Sequence, residues 1–284
     1  MIRVKRVLIF FGAITLLAAG GARFEEARKL YNLTEFGKSL QVLQEVPNKD
    51  SAVWELIGKD YYGQGDFKKA TDALEKAVAL DPSSSDATLW LGRAYGRRAE
   101  TSSPLTAPGY ASRARQHFEK ATELSPDNLE AQSDLFEYYL EAPGFLGGGF
   151  EKAASAAERI SRLNASEGYW AQAKLAEKRK EYHTAEAHLR QAIDAAPQQA
   201  GRLIDLAKLF TRQGKNREAD ASLAKAEQIA PNSPRLLFAK AEIYVKSKRN
   251  LDVARRILQQ YMSLTLTPDD PSKADAEKLL KLTL

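Results

Sequence analysis

From Ser51 the chain carries large apolar residues at Trp54, Ile57 and Tyr61 and a small one at Gly58. Spacings of three and four put these on one face of a helix. Gly65 interrupts the pattern, and a second apolar set at Ala70, Leu74 and Ala77 runs to Pro82. The reading is two helices: Gly65 ends the first in a left-handed conformation, Asp66 caps the second, and Pro82 stops it. The double pattern recurs from Ser85, with Leu91, Gly92, Tyr95, Ala114, Phe118, Ala121 and Pro126. It recurs from Leu129 (Leu135, Tyr139, Ala153, Ile160) and from Ser166 (Tyr169, Ala173, Ala185, Leu189, Ala192, Pro197). A further copy begins at Ala200, with Leu203, Leu206, Ala207, Phe210, Gly214, Ala219, Leu223, Ala226 and Pro231. A degenerate one begins at Pro234, with Leu237, Ala241, Tyr244, Ala254 and Leu258. Pro197 and Pro231 stand 34 residues apart.

With Ser51 as position 1, the large residues fall at 4, 7, 11 and 24, the small ones at 8, 20 and 27, and proline near 32. In this arrangement the sequence closely resembles the tetratricopeptide repeat family. The resemblance implies an all-α, right-handed superhelix of antiparallel helix pairs, A and B. Small residues then let the helix backbones approach, and large residues on the same faces fill the gaps. The copies are placed near 23–50, 51–84, 85–128, 129–165, 166–199, 200–233 and 234–268 of an array spanning 23–284. The first is short: Phe24, Ala27, Leu30 and Tyr31 give helix A, and Phe36, Leu40, Leu43 and Val46 give helix B. Residues 270–284 read as a polar-faced closing helix over the last apolar face.

Two interruptions break the period, both expected as insertions between helices A and B and side by side on one edge. One lies within residues 99–113, around Pro104 and Pro108-Gly109-Tyr110; the other is Ala142-Pro143-Gly144-Phe145-Leu146-Gly147-Gly148-Gly149. Together with Arg93-Ala94-Tyr95-Gly96 and Tyr138-Tyr139-Leu140, this loop resembles a subgroup of exported bacterial tetratricopeptide proteins. Gly147 to Gly149 lead into Phe150-Glu151-Lys152 rather than the Lys-Ser or Lys-Thr of a phosphate loop, so an elongated structural turn is expected. Phe145, Leu146, Gly147, Gly148 and Gly149 remain candidates for a functional loop.

The N-terminus has its own pattern. Arg3, Lys5 and Arg6 precede an apolar run from Val7 to Gly20, and small residues through Ala22 follow before Arg23. Residues 1–22 therefore read as a secretory signal, cut after Ala22 or nearby, or as a short membrane anchor. Export to the periplasm or cell envelope follows from either reading.

Composition narrows the chemistry. Of 42 basic residues the leader holds three and no acid, so the remaining 39 face 37 acids and give no general electrostatic case for nucleic acid. The chain has no cysteine, which excludes disulfides, thiolate metal sites and thiol catalysis. The three histidines, His117, His183 and His188, read as solvated helix-B residues, and the last two, five residues apart, do not share a helix face. No metalloprotease motif or nucleophile elbow is present, and no metal or cofactor is expected.

The expected function is non-catalytic binding of a protein or peptide. In the family the concave groove is lined by helix-A positions 2, 5, 6, 9, 12 and 13. Carried onto this chain, these give Leu89, Trp90, Arg93, Arg97, Glu137, Glu141, Trp170, Lys174, Lys178, Ile204, Lys208, Arg212 and Phe238. The family's Lys-and-Asn clamp for a peptide carboxylate is missing: position 5 holds Glu55, Leu89, Ser133, Trp170, Ile204 and Phe238. Two other readings stay open: a polysaccharide- or solute-binding module using the groove aromatics, and an enzyme with its site at the paired insertions 99–113 and 142–150. The first requires Trp90, Trp170 and Phe238 to be exposed.

Overall fold

A computed structural model describes residues 20–283. The basic and apolar parts of the leader lie outside the described residues, and the cleavage position after Ala22 falls inside the first helix, α1 (20–32). Among the described residues every regular element is helical and there is no strand. No helix there is long and apolar enough to cross a membrane.

The chain divides into two compact units at Ser125 and Pro126. The first contains α1, α2 (Phe36–Gln44), α3 (Ser51–Gly63), α4 (Phe67–Leu80), α5 (Ser85–Thr101) and α6 (Ala107–Leu124). The second contains α7 (Leu129–Glu141), α8 (Phe150–Leu163), α9 (Ala165–Lys178), α10 (Tyr182–Ala195), α11 (Ala200–Arg212), α12 (Asn216–Ile229), α13 (Pro234–Lys246), α14 (Leu251–Met262) and α15 (Lys273–Lys281). Within each unit, successive helices pack as pairs, and each pair packs on the next.

Small side chains hold the pairs together. Ala77, Ala121, Ala192 and Ala226, all at position 27, are fully buried. At Gly58 a Cβ would come within 2.4 Å of Leu74 Cγ, so helix A reaches helix B only because that position is bare. Three copies share a further tie. The hydroxyls of Ser51, Ser85 and Ser166 donate to the carbonyls of Ala77, Ala121 and Ala192 at 3.0, 3.0 and 2.9 Å. The start of helix A is thereby bonded to the last turn of its own helix B.

The A–B turn is also built one way in every copy without an inserted segment. Position 15 is left-handed at Thr34, Gly65, Lys180, Gly214 and Lys248, with φ between 52° and 78°. The next residue's N–H then returns to the carbonyl at position 11: Glu35 to Leu30, Asp66 to Tyr61, Glu181 to Ala176, Lys215 to Phe210 and Arg249 to Tyr244, all at 2.9–3.0 Å. These bonds satisfy a carbonyl that the helix end would leave open. Asp66 caps α4 by accepting from the Lys69 N–H at 3.1 Å.

The segment 99–113 is not an inserted loop. α5 continues to Thr101 and α6 begins at Ala107, so the additional residues lengthen both helices and leave 102–106 between them. Pro108 lies in the first turn of α6, where a missing N–H removes no helical bond. At the end of the chain α15 packs on α13 and α14 and buries Ala276, while Tyr261 donates from below to the Pro271 carbonyl.

Candidate functional site

In the first unit, the A-helix face carries an aromatic platform with cations over it. Tyr62 of α3 meets Trp90 of α5 edge-on, with ring centroids 5.4 Å apart at 86°. Tyr62 also meets Phe67 at 5.4 Å. Lys59 Nζ stands 5.1 Å from the Trp90 ring centre, and the Arg93 guanidinium 4.9 Å from it. One turn further along α5, Arg97 lies 5.1 Å over Phe67 and pairs with Glu100. Trp90, Arg93 and Arg97 are half-buried. Their spacings of three and four put all three on one side of α5. Leu89, also expected on this face, is buried, because its neighbouring position turns it into the helix packing.

In the second unit the corresponding face is a ladder of ion pairs between successive A helices. Lys178 of α9 reaches Glu141 of α7 at 2.8 Å. Arg212 and Arg202 of α11 pair with Glu177 and Glu167 of α9. Lys208 of α11 reaches Glu242 of α13 at 2.9 Å. Lys178, Lys208 and Arg212 were expected to meet a partner, and each instead has an internal carboxylate. The exposed Lys178–Glu141 pair contributes little to stability, while the others are partly covered, and together they fix charge along the face.

Trp170 and Ile204, both at groove positions of the repeat, are buried. Trp170 meets Phe136 of α7 at 5.7 Å, while Lys174 and Arg202 stand 5.8 and 5.2 Å from its ring centre. It serves as packing between three A helices. Phe238 is half-buried and leans on Tyr261 at 5.6 Å. A row of exposed aromatic rings, which a polysaccharide platform needs, is therefore not formed by Trp170 and Phe238.

Glu137 touches solvent, yet the surrounding helices displace enough water to raise its carboxyl above the usual range. Asp134, Asp205 and Glu141 add like charge, and Lys174 opposes them. A carboxylate that is both accessible and partly desolvated gains from a cation brought to it.

The loop at 142–149 is a closed hydrogen-bonded turn. Gly144–Leu146 forms one turn of 3-10 helix, and Gly147 takes φ 87°. The N–H groups of Gly147, Gly148 and Gly149 donate to the carbonyls of Gly144, Pro143 and Tyr139 at 2.9, 3.2 and 2.8 Å. All three donors that would cradle an anion are consumed within the turn. Tyr138 donates to the Leu146 carbonyl at 2.9 Å and Lys152 to the Gly147 carbonyl at 3.0 Å. Phe145 projects from the tip, 82% exposed, and Leu146 is half-buried beneath it.

The lengthened α5–α6 pair gathers titratable groups that the sequence did not bring together. Tyr95 accepts from Arg113 at 2.9 Å and donates to Glu75. Its ring stacks on Tyr110 at 6.1 Å and on His117 at 5.6 Å. Arg98 donates to Tyr110 at 2.6 Å and to Thr71 at 2.8 Å. Burial raises the Tyr95 phenol and lowers the His117 imidazole, so the first keeps its proton and the second is neutral at pH 7. That is the charge state of a packed network rather than of a poised acid–base pair. His117 is thus half-buried and stacked, not solvated as expected; His183 is exposed, and His188 stacks on Tyr169 at 6.4 Å. Among the described residues no cluster of three or more His, Asp or Glu side chains is placed to hold a metal ion.

Lys59 and Tyr62 were missed on the first unit's face. They occupy positions 9 and 12 of the copy beginning at Ser51, so the groove positions applied to that copy would have found them.

Comparison with known proteins bears on the architecture. The sequence profile of the tetratricopeptide repeat family matches residues 56–99. A tetratricopeptide repeat protein from Parabacteroides merdae ATCC 43184 superposes with a TM-score of 0.60 at 17% identity, over 94% of this chain and 99% of that one. The fold is that of a tetratricopeptide-repeat protein. A thermophilic TPR protein of Thermus thermophilus is similar at TM-score 0.53 and 23% identity, covering 69% of this chain and 99% of that one. The Cut9–Hcn1 assembly of the APC/C is similar at TM-score 0.52 and 15% identity, with 91% of this chain matching 48% of that one. No curated protein matches the chain.

Proposed function

We propose that this tetratricopeptide-repeat chain is a non-catalytic protein-binding scaffold or assembly factor of the bacterial cell envelope. Residues 1–22 direct its export, and a protein or peptide partner docks on the A-helix face. The observation that carries this reading is Trp90, half-buried, with Lys59 and Arg93 4.9–5.1 Å from its ring centre and Tyr62 against its edge. A tryptophan braced by a tyrosine and flanked by an arginine is the composition of a binding hot spot. A partner side chain laid on that platform gains apolar area and meets cations already held in place. In the second unit, the exposed Glu137 carboxyl offers a separate place for a partner cation. Glu137 and Glu141 of the second unit would repel phosphates there, which disfavours nucleic acid. The glycine-rich turn at 142–149 fits the subgroup of exported bacterial repeat proteins that the sequence resembles.

The test is affinity capture from an envelope extract, with wild-type bait and with Arg93→Ala/Arg97→Ala bait. A partner retained by the first and lost from the second supports the reading. A partner retained equally by both, but lost on Phe145→Ser, moves the function to the glycine-rich turn. N-terminal sequencing of the exported chain checks the leader: a start near Arg23 is expected, and an intact Met1 in the membrane fraction identifies an anchor instead.

A further inference from the structure

The B-helix side of the first unit holds a groove of about 300 Å³ between α2 and α4, floored by Trp54, Ile57 and Tyr61 of α3. The second unit holds its counterpart, about 520 Å³, between α10 and α12 over Leu203, Leu206 and Phe210 of α11. Both floors use positions 4, 7 and 11 of helix A. The shape is therefore a product of the repeat: two successive B helices leave the apolar face of the helix beneath them partly uncovered.

The chemistry of the two grooves differs. In the second unit Arg190 and Lys225 on the rim are balanced by Asp194 and Glu218. In the first unit Lys49, Lys69 and Lys76 stand on the rim with Asp72, and Lys69 also pairs with Asp66 at 2.8 Å, so three lysines face two aspartates. The floor there is also aromatic, and the lysines are held against it. Lys76 Nζ lies 4.1 Å from the Trp54 ring centre and Lys69 Nζ 5.4 Å from that of Tyr61. Lys49 is anchored by bonds to the Gln44 and Val46 carbonyls at 3.1 and 2.8 Å. An occupant must therefore be apolar in the middle and negative at its ends. Lys69 and Lys76 are two turns apart on α4, a rise of about 10 Å. An extended peptide covers that distance in about three residues.

We propose that the groove over Trp54 binds an acidic peptide segment of a partner protein, seating one bulky apolar side chain between two carboxylates about three residues apart. The occupant is committed by charge: three lysines against Asp72 and the Asp66 that pairs with Lys69, around an aromatic floor, so a carboxylate at Lys69 competes with Asp66. The surface is separate from the Trp90 platform, and the inference does not depend on that platform binding anything.

The experiment is fluorescence anisotropy with the purified full-length chain and a labelled Ser-Glu-Phe-Ser-Glu-Ser peptide. Binding that weakens with added salt is expected. Lys69→Glu/Lys76→Glu should weaken it at least tenfold. Lys225→Glu in the second unit's groove and Arg93→Ala/Arg97→Ala should leave it unchanged, with the same circular-dichroism melt in all variants. A peptide with lysines in place of its glutamates should not bind. Absence of binding by the acidic peptide, binding indifferent to Lys69→Glu/Lys76→Glu, or binding of decanoate alone would overturn the proposal. The last result would assign the groove to a small amphiphile instead.

Discussion

The hydroxyl of Ser166 donates to the main-chain carbonyl of Ala192 at 2.9 Å, joining the start of α9 to the last turn of α10. Ser51 with Ala77 and Ser85 with Ala121 repeat the bond. Ser166 is buried, so its loss leaves a shielded carbonyl without this donor. Ser166→Ala is expected to destabilise the second unit by about 1–2 kcal/mol in a urea melt. An unchanged midpoint would mean that another donor replaces the hydroxyl.

Ala192 itself is fully buried between helices. Ala192→Leu should overpack the interface and lower stability by about 1–3 kcal/mol. The same substitution at Ala195, on the exposed side of α10, should have little effect. Equal denaturation midpoints for the two variants would contradict the packing described.

Lys180 and Lys248 take the left-handed conformation that glycine fills at Gly65 and Gly214. A side chain there costs about 1–2 kcal/mol, against which glycine loses about 0.5–1 kcal/mol of chain entropy. Lys248→Gly is therefore expected to stabilise by about 0.5–1 kcal/mol, read as a higher thermal midpoint. A lower midpoint would show that the lysine side chain contributes more than its strain costs.

Asp60 is fully buried; burial raises its carboxyl to about 7, opposed by the Ser39 hydroxyl that donates to it at 2.7 Å. Its other oxygen has no partner. A carboxyl whose folded pKa lies above its unfolded 3.8 stabilises fully below pH 3.8, and that contribution is lost as pH rises through 7. Over that window the ceiling is about 4 kcal/mol. Asp60→Asn should raise stability at pH 8 and flatten the first unit's stability between pH 4 and 7. A variant with the parent's pH dependence would place the titration elsewhere.

The repeat was legible because its cause is local. Small residues at positions 8, 20 and 27 mark where helices touch, and the chain must place them whatever its surface chemistry. The turn glycines Gly65 and Gly214 were readable for the same reason, but Lys180 and Lys248 were not, since a lysine does not announce a positive φ. Segment 99–113 misled because Pro108-Gly109 reads as a break, whereas a proline in a first helical turn is compatible with α6. The face residues were legible as positions but not as environments. Trp90 and Trp170 differ by one step in the repeat, at positions 6 and 5, yet one is half-buried over an aromatic platform and the other is packed against Phe136. The ion pairs that engage Lys178, Lys208 and Arg212 join residues more than thirty positions apart, which no local pattern records.

The central claim is that a protein partner docks on the A-helix face around Trp90. Site-specific photocrosslinking in living bacteria addresses it directly, with the reactive residue placed at Arg97 on that face or at Glu158 on the exposed side of α8. An adduct of defined mass from position 97, absent from position 158 and diminished by Trp90→Ala, is the predicted result. Adducts from position 158 with none from position 97 would contradict the account.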